Sequence, residues 1–211
     1  MDARNWSAEE GSIAERTNPL GLPAEDTPVR YVIDAKGSAF TVQVYSVGLL
    51  SAFGHDPRIA VRNFQGDVTF TLAPDAIEDA QLTVNIQADS AEVVDDYSEK
   101  DRLEINRRMY HEVLETDRFP NISYSCVQVV ANGSGNRFWI EMHGELTMHG
   151  VTRMLTVPAR VAINGGSLRA SGEFSVKQTD FGIEPISIGA GSIRVKNEIK
   201  CTFDILARQV E

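Results

Sequence analysis

Residues 138–176 read FWIEMHGELTMHGVTRMLTVPARVAINGGSLRASGEFSV, and this stretch decides the fold. Phe138, Ile140, Met142, Gly144 and Leu146 share one phase of a two-residue period. Leu155, Val157, Ala159, Val161 and Ile163 repeat it, and Leu168, Ala170, Gly172, Phe174 and Val176 repeat it again. Successive side chains of a strand point to opposite faces, so each run buries one face and turns the other to water. Asn164-Gly165-Gly166 separates the second run from the third with residues that tolerate positive φ, the chemistry of a tight hairpin. Asn132-Gly133-Ser134-Gly135-Asn136 does the same just upstream. Half-apolar strands joined by tight turns predict an antiparallel sheet.

The alternation extends outward from this stretch. It recurs in Phe40, Val42 and Val44; in Phe64, Val68, Phe70 and Leu72; in Leu82, Val84 and Ile86; and in Ile199, Cys201, Phe203 and Ile205. With Tyr31 to Asp34 and Ile122 to Val130 the strand candidates number about nine, enough for an all-β barrel of about eight strands that leaves few exposed edges. Ser98 to His111 departs from the pattern, with Leu103, Ile105, Met109 and Tyr110 at helical spacings, Ser98 as N-cap and Asp101 reaching back to it. One helix inserted between strands, rather than one after each strand, disfavours a parallel α/β fold. Residues 1–28, with Pro19, Pro23 and Pro28 and no periodicity, read as an extended tail or strap, and residues 29–211 as the barrel domain.

The 211 residues, 42% hydrophobic and 24% charged, suit a single globular core. A net charge of −10 repels phosphate backbones, so nucleic acid is not an expected partner. The longest uncharged stretch, Gly37 to His55, carries Gln43, Ser46 and Ser51 among other polar residues and predicts no integral membrane segment. The start, Met1-Asp2-Ala3-Arg4-Asn5-Trp6 followed by Glu9 and Glu10, lacks the basic opening and apolar middle of a secretory leader. The expectation is a cytoplasmic protein, or a periplasmic one if a leader has been removed. Cys126 and Cys201 both fall on the apolar phase, which excludes a disulfide scaffold and leaves a single bridge between them open.

Chemistry-bearing patterns are sparse. The four histidines, His55, His111, His143 and His149, show no metal-ligand spacing. Adjacent His55 and Asp56 point apart on an extended chain, which favours a turn-stabilising role over an acid/base pair. There is no Gly-x-Ser-x-Gly elbow, neither cysteine has a basic sequence neighbour, and Gly189-Ala190-Gly191 leads into a strand-like run instead of a helix. Arg102, Arg107 and Arg108 read as a solvated helix face. No cofactor is called for, and the reading is non-enzymatic.

Tyr31-Val32-Ile33-Asp34 with Ser38 and Phe40, Phe53-Gly54-His55-Asp56, Phe119-Pro120-x-Ile122-x-Tyr124, Gly144-x-Leu146-x-Met148-His149-Gly150-Val151-Thr152 and Phe174-x-Val176-x-Gln178-Thr179-Asp180-Phe181-Gly182 together resemble the YceI-like family of bacterial polyisoprenoid-binding proteins. The resemblance runs from Tyr31 to Arg208; many members carry Arg where this chain has Gln178. It implies a lipocalin-like antiparallel barrel with a helix at its side or mouth, enclosing an elongated apolar cavity for a long isoprenoid or another lipid-like amphiphile. Wall candidates on the apolar phase are Phe40, Val42, Phe70, Val84 and Ile86, then Tyr124, Phe138, Met142, Phe174 and Phe203. Met109 and Tyr110 would close the mouth, and His55, Arg102 and Gln178 are the polar candidates at a head group. Small residues at Gly144, Ala159, Ala170 and Gly172 leave room in such a barrel. Two rival readings remain: an enzyme on a small hydrophobic substrate using His55 with Asp56 or Asp180, and a solidly packed barrel acting as a homodimeric interaction module.

Overall fold

The alternation becomes hydrogen-bonded strands throughout a computed structural model, which describes residues 27–47, 56–73, 76–188 and 193–210. The expected tail, apart from Thr27 and Pro28, and His55 lie outside the described residues. In chain order the strands are β1 (Pro28–Ile33), β2 (Ala39–Gln43), β3 (Ser46–Val47), β4 (Arg58–Val61), β5 (Phe64–Ala73), β6 (Ala76–Gln87) and β7 (Ala91–Val93). They continue as β8 (Asn121–Ser134), β9 (Arg137–Met148), β10 (Val151–Asn164), β11 (Ser167–Lys177), β12 (Ser187–Ile188), β13 (Ile193–Val195) and β14 (Glu198–Val210). Helix α1 (Glu99–Arg108) lies between β7 and β8.

Eight strands, in the order β1-β5-β6-β8-β9-β10-β11-β14, form an antiparallel sheet that β1 closes by pairing with β14. Of the nine runs read from the sequence, eight make the barrel. The ninth, β2, is displaced because β14 divides one of its edges: Lys200 to Asp204 pair with β2, while Ala207 to Val210 pair with β1. Asp34 and Ser38 hold the division. Asp34 N donates to Leu206 O (2.8 Å), and Ser38 Oγ accepts from Leu206 N (2.9 Å) while donating to Asp34 O (2.7 Å). From β2 the sheet continues to β4 and β7, rising past one end of the barrel. Strands β3, β4, β7, β12 and β13, of two to four residues, fall below the length at which alternation is legible.

The helix starts at its expected cap, with Ser98 Oγ accepting from Asp101 N (3.2 Å). It runs beyond His111 as a wider π turn over Met109–Val113. No residue of α1 is buried. Its attachment is polar instead: Asn106 Oδ1 accepts from Val93 N (3.0 Å) and the Tyr110 hydroxyl donates to Ala91 O (2.6 Å). These two bonds satisfy backbone groups of β7, the outermost strand of the extended sheet.

Inward residues of the barrel pack most tightly at the opposite end. Tyr31 stacks on Phe70 with ring centroids 5.7 Å apart and planes 4° from parallel, within a cluster that includes Leu72, Phe138, Ile163 and Ala207. We call this end the floor. Among the described residues no helix is long and apolar enough to cross a membrane.

Candidate functional site

Above the floor the barrel is hollow. Two cavities, each of about 140 Å³, lie along its interior. The inner one reaches down to Tyr31, Leu168 and Ala207 and is walled by Val84, Tyr124 and Phe203. The outer one is walled by Val42 on β2, Ile59 on β4, Met109 and Val113 of the π turn, Leu114, and Gln178. Phe40, Ile86, Ile122, Leu146 and Phe174 line both, so the cavities meet at a common neck. Phe40 and Phe174 stand edge to face there, with centroids 6.4 Å apart.

The glycines expected to leave room act differently. A Cβ on Gly144 would lie 2.7 Å from the Tyr124 ring and hydroxyl, and one on Gly172 would lie 2.7 Å from the Phe203 ring. Each aromatic therefore lies flat on the wall, over a glycine of the neighbouring strand, instead of standing across the lumen. Tyr124 is pinned there by donating to Met142 O (2.9 Å) and Leu155 O (3.3 Å). Burial pushes its hydroxyl pKa up, so it stays a neutral donor. The space at the glycines is filled by rings, and the hollow results because those rings are folded aside.

Polar chemistry inside the barrel is confined to a few atoms. Gln178 is the buried polar residue among the described residues, 6% exposed. The short turn Gln178–Phe181 after β11 holds it: its N–H donates to Asn197 O (2.9 Å) and its Nε2 to Lys196 O (2.9 Å). Both cysteines are buried and free. Cys201 lines the outer cavity, where burial pushes its thiol up to about 12 and keeps it un-ionised. The Tyr31 hydroxyl, at the floor, is buried with no hydrogen-bond partner among the described residues.

The roof of the outer cavity is latched. His149, with positive φ (53°) in the turn between β9 and β10, places Nε2 3.0 Å from Glu115 Oε1 and its ring centroid 4.3 Å from that of Phe119. Glu115 also pairs with Arg118. The two bonds hold the Glu115 carboxyl below the usual range, Arg118 contributing more than His149. The latch ties the segment after the π turn to the barrel rim.

The YceI-like domain description matches residues 31–207. The chain belongs to the YceI-like family. A UPF0312 protein of Shewanella oneidensis is 26% identical over 189 residues, covering 86% of this chain and 88% of that protein. One of Vibrio parahaemolyticus is 27% identical over 143 residues, covering 67% and 65%. Among solved structures, Burkholderia cenocepacia BcnA superposes with a TM-score of 0.63 at 18% identity, over 82% of this chain and 98% of that one. A polyisoprenoid binding domain from Saccharophagus degradans gives 0.60 at 14% identity, over 84% and 97%.

In this YceI-like domain the expected wall residues divide three ways. Phe40, Ile86 and Phe174 form the neck; Val84, Tyr124, Met142 and Phe203 line the inner cavity; Val42, Met109 and Gln178 line the outer one. Phe70 and Phe138 line neither, because both are 2% exposed and packed into the floor. Tyr110 does not line the outer cavity, since its hydroxyl is committed to the β7 backbone. Arg102 lies on the exposed face of α1 and lines neither cavity. Ile122 and Leu146, at the neck, and Val113 and Leu114, at the roof, also line the cavities, although the sequence does not mark them as wall candidates. The first two were legible as strand-phase residues; the roof pair depends on where the π turn ends. Of the rival acid/base groups, Asp56 Oδ1 accepts from Ser46 N (2.7 Å) as a turn cap, and Asp180 is exposed.

Proposed function

We propose that the protein binds a long-chain isoprenoid or similar lipid-like amphiphile non-covalently in the two joined cavities and does not transform it. The observation that carries this is the neck: five apolar residues common to two apolar chambers make one elongated interior, a shape matched to a chain. Removing such a chain from water contributes about 0.8 kcal/mol per methylene, so affinity needs no reactive group. The relative from Saccharophagus, a domain described as polyisoprenoid binding, supports the same ligand class.

The test is native mass spectrometry of protein purified without detergent, followed by organic extraction and mass analysis of the extract. The expected result is a stoichiometric long-chain molecule, or stoichiometric uptake of an added prenyl lipid. Protein that is empty and takes up no added prenyl lipid overturns the reading.

A further inference from the structure

We infer that the floor of the inner cavity recognises a chain oxidised at the end remote from its head group, whose carbonyl oxygen accepts a hydrogen bond from the Tyr31 hydroxyl. The inference rests on the binding reading above and adds the chemistry of the ligand's buried end.

Among the described residues the Tyr31 hydroxyl is the one buried side-chain nitrogen or oxygen without a hydrogen-bond partner. Tyr31 is 0% exposed and lines the inner cavity, at the end away from the neck. Strand β1 puts it there by alternation, burying Val29 and Tyr31 and exposing Pro28 and Arg30. Buried polar groups are nearly always paired, so an orphan on a cavity wall calls for a partner that the cavity admits.

The hydroxyl is also rigidly presented. Antiparallel pairing fixes the Tyr31 backbone between Gln209 of β14 and Val68 of β5, and the ring stacks on Phe70. Burial pushes its pKa up, so the group stays a neutral donor. Little ordering is required when an acceptor arrives.

A lone water is a poor substitute. Buried water is held by about two to four polar partners, whereas Tyr31 belongs to a packed apolar cluster with Val29, Leu72, Ile163 and Ala207. Asp67 and Ser123 also line the inner cavity, but from the outward phases of β5 and β8, and the Asp67 carboxylate accepts from Arg30 Nε (3.2 Å) and Thr83 Oγ1 (3.3 Å). A ligand differs from water because the apolar walls hold its chain and only its terminal oxygen needs the hydroxyl. A carbonyl suits this end better than an alcohol, since it accepts and brings no donor of its own to leave unpaired. A chain ending in hydrocarbon leaves the Tyr31 hydroxyl unpaired.

Prenyl alcohols in a ladder of chain lengths are compared with analogues whose terminal isopropylidene is replaced by a methyl ketone of nearly the same shape, each displacing a fluorescent apolar probe. At lengths that reach the floor, wild-type protein should bind the ketone about tenfold tighter than its parent alcohol. Tyr31→Phe keeps the ring and should reverse the order, binding the ketone about tenfold weaker than the parent, because the carbonyl is then buried without a donor. Freed of lipid, Tyr31→Phe should melt at or above the wild-type temperature, since it loses an unpaired group; a lower melting temperature would mean that the hydroxyl already has a partner, and overturns the inference. The wild-type ranking decides the matter even if the variant does not fold. Equal or weaker binding of the ketone at every length, or a ketone preference that persists in Tyr31→Phe, overturns the Tyr31 inference and leaves the binding reading standing. Uptake of neither series overturns the binding reading itself.

Discussion

The floor and the roof of this barrel are built from different materials. At the floor, Tyr31 and Ile163 are 0% exposed and Phe70 2%, packed on continuous barrel strands. At the roof, α1 buries no residue of its own and is held by Asn106 and Tyr110 on the β7 backbone and by the His149–Glu115 contact. The floor is stabilised by apolar burial that water cannot replace. The roof combines these polar contacts, which can exchange for water at small net cost, with the apolar packing of Met109, Val113 and Leu114.

Substitutions that break this contrast are expected to fall in order of size. Phe70→Ala removes a ring from the packed floor and should cost about 3–5 kcal/mol in denaturant unfolding. Val84→Phe, which adds volume facing the inner cavity, should cost about 1 kcal/mol, the low end for added volume, while reducing prenyl-lipid uptake. Equal destabilisation by the two would mean that the interior is uniformly packed. After Phe70→Ala the next largest cost is that of Gly144→Ala, whose methyl group would displace Tyr124 from the wall and approach Ser125 O at 2.5 Å. A loss of about 1–3 kcal/mol is expected, with reduced lipid uptake as the ring swings into the lumen.

Asn106→Ala leaves Val93 N–H without its acceptor and should cost about 1 kcal/mol. Native-state hydrogen exchange should show faster exchange at the Val93 amide and unchanged protection at the floor; a uniform rise across the barrel would count against a separately openable roof. The smallest effect concerns pH. Glu115 is held below its ordinary value of 4.5, first by Arg118 and then by His149. Its contribution to stability is therefore present above that ordinary value and lost as pH falls through the lowered one. Melting temperature followed downward from pH 5 should show a shallower decline in Glu115→Gln than in wild type. Identical slopes would remove the latch from the roof's account.

Much of the site was legible because period-two alternation names the inward face without a structure. Phe40, Ile86 and Phe174 reach the neck from three separate runs for that reason. Alternation assigns a face and not a depth, so Phe70 and Phe138 shared the inward phase of true lining residues and were still taken up by the floor. Tyr110 and Arg102 illustrate the limit of a helical pattern whose anchoring is polar: no apolar stripe on α1 marks which side faces the cavity.

The sequence by itself determined an antiparallel barrel of half-apolar strands, its two glycine hairpins, the capped helix and the inward set of side chains. These follow from local chemistry: side-chain period, positive-φ turns and a serine cap. Only the tertiary structure decided that β14 shares one edge between β1 and β2, that Tyr124 and Phe203 fold onto glycines of neighbouring strands, and that the buried amide of Gln178 is held by Lys196 O. Each of these depends on which residues meet across strands distant in sequence. Cavity volume is a small difference between the space the barrel encloses and the side chains that enter it, and no local pattern encodes that difference.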